Sequence, residues 1–168
     1  FFCAVFKKKD DRTIYNMIYH DGQSGNTMMK RFPVSSITRG KDYSITKSDK
    51  GSKVLYFTAN PNGEAEIVTV HLRALQKLKK LRFDVDFSEL AIKGRSAGGN
   101  LVCKNPIKRI ELKEGGVSTL SARKIWYDDK VMRLNVDGIG TFLGDFQADD
   151  KILVVRQDGT CQLIGFEL

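Results

Sequence analysis

The chain has 168 residues, 41% of them hydrophobic, with 28 Lys and Arg against 20 Asp and Glu and a formal net charge of +8. That suffices for a core in one ordinary domain, or in two to four small repeats that share one. It excludes a helical membrane span, because no apolar run approaches ~18 residues, and a metal knot, because Cys3, Cys103 and Cys161 lie far apart with neither His20 nor His71 at ligand spacing.

The opening run Phe1–Phe6 is strand-like, too short for a signal peptide, and is followed rather than preceded by Lys7-Lys8-Lys9. It also lacks an initiator Met, so the chain is expected to be a segment of a longer protein. Thr13–Tyr19 alternates β-branched and aromatic residues up to Asp21-Gly22, and Asn26–Val34 is the expected returning strand. Val54–Thr58 and Glu66–Leu72 are two stronger strands with the turn Asn60-Pro61-Asn62-Gly63 between them. Leu75–Leu81 has helical spacing without a cap and fits equally a basic linker or a strand. Val131–Val136 and Thr141–Phe146 flank Asp137-Gly138, and Lys151–Arg156 and Thr160–Phe166 flank Asp158-Gly159, each as an expected hairpin. The chain is therefore predicted to be all-β.

Charge is unevenly spread. Phe1–Arg133 holds 26 cations and 14 anions, whereas Leu134–Leu168 holds 2 and 6. A basic body with an acidic end suggests a polyanion-binding face. The most informative stretch is Lys93-Gly94-Arg95-Ser96-Ala97-Gly98-Gly99-Asn100, which sets two cations against a Gly-Gly pair. Without Cβ atoms the backbone turns tightly and comes close to a partner. Such a turn suits a phosphodiester backbone held without reading its bases.

Two segments are related to each other. Gly25–Val34 and Gly99–Leu112 share a Gly-Asn start and end on Lys-Arg-apolar-x-aliphatic, with Lys30 and Lys108 78 residues apart. Degenerate hairpin repeats of this kind imply radially arranged four-stranded sheets, each burying one face on its neighbour.

These phrases resemble the C-terminal domain of the A subunit of bacterial type IIA topoisomerases, DNA gyrase and topoisomerase IV. The resemblance rests on the glycine-then-Lys-Arg elements at Gly25–Phe32 and Gly99–Ile110, on GSKVLYFTANPNGEAE (Gly51–Glu66, a hairpin in the family) and on DDKILVVRQDG (Asp149–Gly159). It implies a β-pinwheel, a propeller-like array of antiparallel four-stranded blades forming an incomplete ring. The blades would be 1–74 and 82–147, with a partial blade 148–168. Gyrase carries a glutamine-arginine-arginine-glycine-glycine box for DNA wrapping. Lys93–Asn100 keeps an arginine and Gly-Gly but not the box, which favours topoisomerase IV. The resemblance further implies no cofactor in this fragment, with ATP and Mg used on other domains. Its implied partners are double-stranded DNA, the topoisomerase B subunit and the rest of the A subunit. The implied location is cytoplasmic and nucleoid-associated, without a membrane.

The residues themselves also point away from catalysis. Asp10-Asp11, Asp128-Asp129 and Asp149-Asp150 are adjacent pairs, which a strand sends to opposite faces, so they make no acid–base dyad. Gly22-Gln23-Ser24-Gly25 lacks the lysine of a phosphate loop. Trp126 and Tyr127 alternate across a strand and are expected to pack between blades. The expected function is non-catalytic binding and bending of duplex DNA on a basic rim. The expected contacts are Lys30, Arg31, Arg39, Lys41, Lys93, Arg95, Lys104, Lys108, Arg109, Arg123 and Lys124. Two other readings stand beside it: a propeller that meets an acidic protein partner without binding DNA, and an RNA-binding β domain, for which the chain lacks the stacking aromatics.

Overall fold

The computed structural model describes residues 2, 12–75, 78–120, 122–147 and 150–165. Cys3, Lys7–Lys9, Asp10, Asp11, Gln76, Lys77 and Asp149 lie outside the described residues. The all-β expectation holds. Among the described residues twelve strands follow one another: β1 (Ile14–His20), β2 (Thr27–Pro33), β3 (Lys53–Asn60), β4 (Glu64–Leu72), β5 (Arg82–Asp86), β6 (Asn100–Cys103), β7 (Ile107–Ser118), β8 (Arg123–Asp128), β9 (Arg133–Asn135), β10 (Thr141–Phe146), β11 (Ile152–Val155) and β12 (Cys161–Ile164). Among the described residues the sole helical element is a single 3-10 turn, Phe87–Glu89. The chain divides into two compact units, 1–120 and 121–168.

The first unit holds a four-stranded sheet of order β3-β1-β2-β6 and a three-stranded sheet of order β5-β4-β7, each antiparallel throughout. β1 and β2 occupy the centre of the larger sheet, and both of its faces are covered. Ile18 and Met29 on one face join a core with Val68, Val70, Leu72, Val85, Phe87 and Leu90 from the second sheet and the 3-10 turn. Tyr15, Met17, Tyr19 and Phe32 on the other face form a second core, against which Val34 and Ile45 of the β2–β3 loop pack. Six of the seven β1 residues are therefore buried, including Asn16, where a strand with one wet face would alternate. Strands drawn from 1–74 and from 82–147 share both sheets, since β6 pairs with β2 while β5 and β7 flank β4.

The second unit holds a three-stranded sheet of order β10-β8-β9 and the hairpin β11–β12. Ile125 is buried, and Trp126, half-buried, packs on Phe142 with ring centroids 5.1 Å apart.

Turn chemistry read from the sequence is realised more faithfully than strand pairing. β1–β2 and β11–β12 are hairpins across Asp21-Gly22 and Asp158-Gly159, as expected. The other two expected hairpins are corrected. Asn60–Gly63 does turn, with the Gly63 amide donating to the Asn60 carbonyl at 3.0 Å, but β3 leaves to pair with β1 and β4 joins the other sheet. The alternate apolar residues of β4 (Ala65, Val68, Val70 and Leu72) bury in the core between the sheets, which a flat hairpin with β3 would not allow. Similarly β9 and β10 do not pair across Asp137-Gly138; both pair with β8, one on each side.

Candidate nucleic-acid interface

Two loops of the first unit meet over the second core. One is the β2–β3 connection, residues 34–52; the other is the glycine-rich loop, residues 93–99. Buried side chains pin both from below. The Lys30 ammonium, on a residue only 3% exposed, donates to the Arg95 carbonyl at 2.7 Å and the Ala97 carbonyl at 2.9 Å, and lies 4.6 Å from the Phe32 ring. Burial lowers its pKa to about 8. The Tyr19 hydroxyl donates to the Gly98 carbonyl at 2.5 Å and accepts from the Lys47 amide at 3.3 Å, so one phenol ties the two loops together. Gly99 lies against the Met29 carbonyl with a φ of +86°, where a Cβ would come within 2.4 Å of that oxygen. Only glycine fits there.

On the outer side of these loops the cations converge. The Arg95 guanidinium stacks over the Tyr43 ring at 4.3 Å and donates to the Ser36 carbonyl at 3.3 Å. Lys41 lies 5.4 Å from the same ring. The Lys47 side chain packs beside Gly98. Arg39, Lys41, Lys47 and Lys93 are exposed and Arg95 is half-exposed. An arginine stacked on an aromatic face keeps its charge outward with little freedom left to lose on binding. Lys47 was missed in the sequence because nothing around it resembles a motif. Its contact with Gly98 spans 51 positions.

Lys30 and Arg31 are a correction. Neither lies on an exposed rim. Arg31 is 1% exposed: its Nε donates to Asn16 Oδ1 at 3.0 Å and its Nη2 to the Gly63 carbonyl at 2.7 Å and Thr119 Oγ1 at 3.0 Å. It faces the space between the two sheets, near Glu66, Asp86 and Glu64. Burial lowers its pKa, and those carboxylates act in the opposite sense. A guanidinium buried between two sheets, with its Nε and Nη2 engaged inside the protein, is out of reach of a phosphate.

Lys104, Lys108 and Arg109 are exposed, at the β6–β7 turn and the start of β7. Arg109 pairs with Glu111 at 3.3 Å, and Glu111 also takes His71 Nε2 at 2.8 Å. Arg73, Lys79, Lys80 and Arg82, from the β4–β5 connection and the first residue of β5, are likewise exposed. The helical-spacing segment is no helix where described: the Leu78 amide donates to the Leu75 carbonyl in a turn. In the second unit, Arg123 is half-buried and Lys124 exposed, on β8.

The balance of charge follows the units. The first has 22 Lys and Arg against 12 Asp and Glu, the second 6 against 8. Among the described residues no three His, Cys, Asp or Glu are grouped to hold a metal ion, and no helix is long and apolar enough to cross a membrane.

The family described as topoisomerase C-terminal domain, Bacteroidota, matches residues 1–114 and 133–168. Comparison with curated proteins and with solved structures gives no match. The family match covers most of both units and agrees with the all-β architecture, and the chain belongs to the topoisomerase C-terminal domain family of Bacteroidota.

Proposed function

We propose that this domain binds and bends duplex DNA without catalysis, as the C-terminal domain of the A subunit of a type IIA topoisomerase. The observation that carries this is the pair of pinned loops in the first unit. Arg39, Lys41, Lys47, Lys93 and Arg95 stand outward there on backbone that Lys30 and Tyr19 hold in place. Fixed cations neutralise phosphates at low entropic cost and release condensed counterions, without reading sequence. Bending costs a few kcal/mol over 20–30 base pairs, which added contacts offset.

The glycine-rich loop lacks the gyrase box, which supports topoisomerase IV as the parent and capture or bending rather than tight wrapping. In that parent, ATP and Mg act on other domains, and the B subunit and the rest of the A subunit are partners. The enzyme works in the cytoplasm on nucleoid DNA, where this domain holds a segment for strand passage and decatenation.

The test is to bind the chain to a nicked circle, ligate it, and read the topoisomer distribution across a salt series. Salt-steep binding without a shift in linking number is the expected result. A shift would mean gyrase-like wrapping. No binding would favour a protein-interaction platform, a reading supported by the exposed Val131, Met132, Ile139, Leu153, Val155 and Leu163 of the second unit.

A further inference from the structure

Lys30 and Arg31 are adjacent buried cations on β2, and they differ in what faces them. Arg31 lies near Glu66, Asp86 and Glu64. Lys30 meets two carbonyls and a ring: its ammonium donates to Arg95 and Ala97 and lies 4.6 Å from the Phe32 centroid. Among the described residues no carboxylate pairs with it, and burial is what lowers its pKa. An ammonium taken out of water is costly unless a counter-charge accompanies it. The two carbonyls engage two of its three donors but bring no negative charge.

A cavity of about 40 Å³ lies beside this lysine, under the glycine-rich loop. On β2 it falls between Met29, where pairing with β6 ends, and Arg31, which bridges to Ile92. Lys30, Arg31 and Lys93 line it together with Met29, Gly99 and Asn100, and none of its lining residues is acidic. A Cβ at Gly99 would stand 3.1 Å from that of Lys30, so glycine lets the loop close over the lysine. One water needs about 10–15 Å³, so the space suits an ion somewhat larger than water.

We propose that this cavity binds one small inorganic anion, of halide to phosphate size, which pairs with the Lys30 ammonium and braces the glycine-rich loop against β2. Lys93 lines the cavity and is exposed, so an anion arriving from solvent meets a cation first. The cavity holds little more than the ion itself, too little for a phosphodiester with its sugars. The ligand is therefore a free ion, and the site stands or falls independently of the DNA-binding reading.

The experiment uses the full 168-residue chain without DNA. Sodium gluconate, whose anion is too large for the cavity, is replaced stepwise by sodium chloride or sodium phosphate at fixed ionic strength. Urea unfolding is followed at about pH 7, where the ammonium is charged. An ion that binds only the folded chain raises the folding equilibrium constant ~10-fold per decade of concentration above its Kd. That rise is expected with at least one of the two anions. Lys30→Met removes the charge, and Ala97→Leu fills the cavity while keeping the cations; both variants should lose the rise, which separates binding from general salt effects on folding. In the unmodified chain the Lys30 ammonium, followed by the carbon-13 shift of its Cε, should titrate at higher pH in the effective anion than in gluconate. A flat response to both anions, an unmoved Lys30 titration, or an equal rise in Ala97→Leu overturns the site. Should Lys30→Met fail to fold, Ala97→Leu and the titration of the unmodified chain decide.

Discussion

Lys30-Arg31 and Lys108-Arg109 are the same dipeptide in related sequence surroundings, yet the fold uses them in opposite ways. β2 lies between β1 and β6 in a sheet covered on both faces. Its Lys30 therefore enters the core under the loops, and its Arg31 enters the space between the sheets. Among the described residues β7 is the edge of its sheet and pairs with β4 alone, and Lys108 and Arg109 remain exposed. A cation's task here is set by how many faces and edges of its strand are covered. The first pair holds the framework, while the second stays at the surface, with Arg109 held by Glu111.

Breaking the framework pair carries the largest expected effect. Arg31→Met takes the Nε donor from Asn16 Oδ1, one of several donors from the Gly63 and Glu64 carbonyls, and the positive charge near buried Glu66, and stability should fall by about 3–5 kcal/mol, the scale for breaking a buried ionic network. Urea denaturation checks it, and a loss below ~0.5 kcal/mol would place Arg31 with ordinary surface cations. Lys30→Met strands the Arg95 and Ala97 carbonyls and should cost about 1–3 kcal/mol.

The same lysine gives a pH signature. Its folded pKa is lowered to about 8 from 10.5 by burial, so between those values the unfolded chain binds more protons than the folded one. Stability from this group should therefore rise with pH above about 8, and be least where the buried ammonium is fully charged. Denaturation between pH 8 and about 9.5, below the range where tyrosines ionise, should show that rise in the unmodified chain and not in Lys30→Met.

Tyr19→Phe keeps the buried ring and removes both loop ties. We expect a loss of about 0.5–1.5 kcal/mol, with faster hydrogen exchange at the Lys47 amide. An unchanged exchange rate would mean that the loops hold together without this hydroxyl. The smallest stability effect should come from Lys108→Ala with Arg109→Ala, within about 0.5 kcal/mol, while DNA affinity falls.

Much of the fold was legible because the turns announce themselves. Asp21-Gly22 and Asp158-Gly159 close hairpins as read, since Asp caps the turn and glycine tolerates it: Asp21 Oδ2 accepts from the Ser24 amide at 3.0 Å, and Asp158 Oδ1 from the Thr160 amide at 2.9 Å. Strand partners were less legible. Asn60–Gly63 and Asp137-Gly138 turn the chain, but the following strand pairs where its apolar residues find a core, a choice made by distant residues. The glycine-rich loop was recognisable from its own composition. Its anchoring by Tyr19 and Lys30 spans 79 and up to 67 positions, beyond any local pattern. For the same reason Lys30 and Arg31 could not be separated in sequence from Lys108 and Arg109.

The most direct test of the account is a salt series of duplex binding for the unmodified chain and for a variant with Lys93, Arg95, Lys108 and Arg109 all changed to alanine. The account predicts salt-steep binding by the unmodified chain and a log–log slope lower by about 3 to 4 in the variant, with little loss of stability. An unchanged slope and affinity in a folded variant would contradict it.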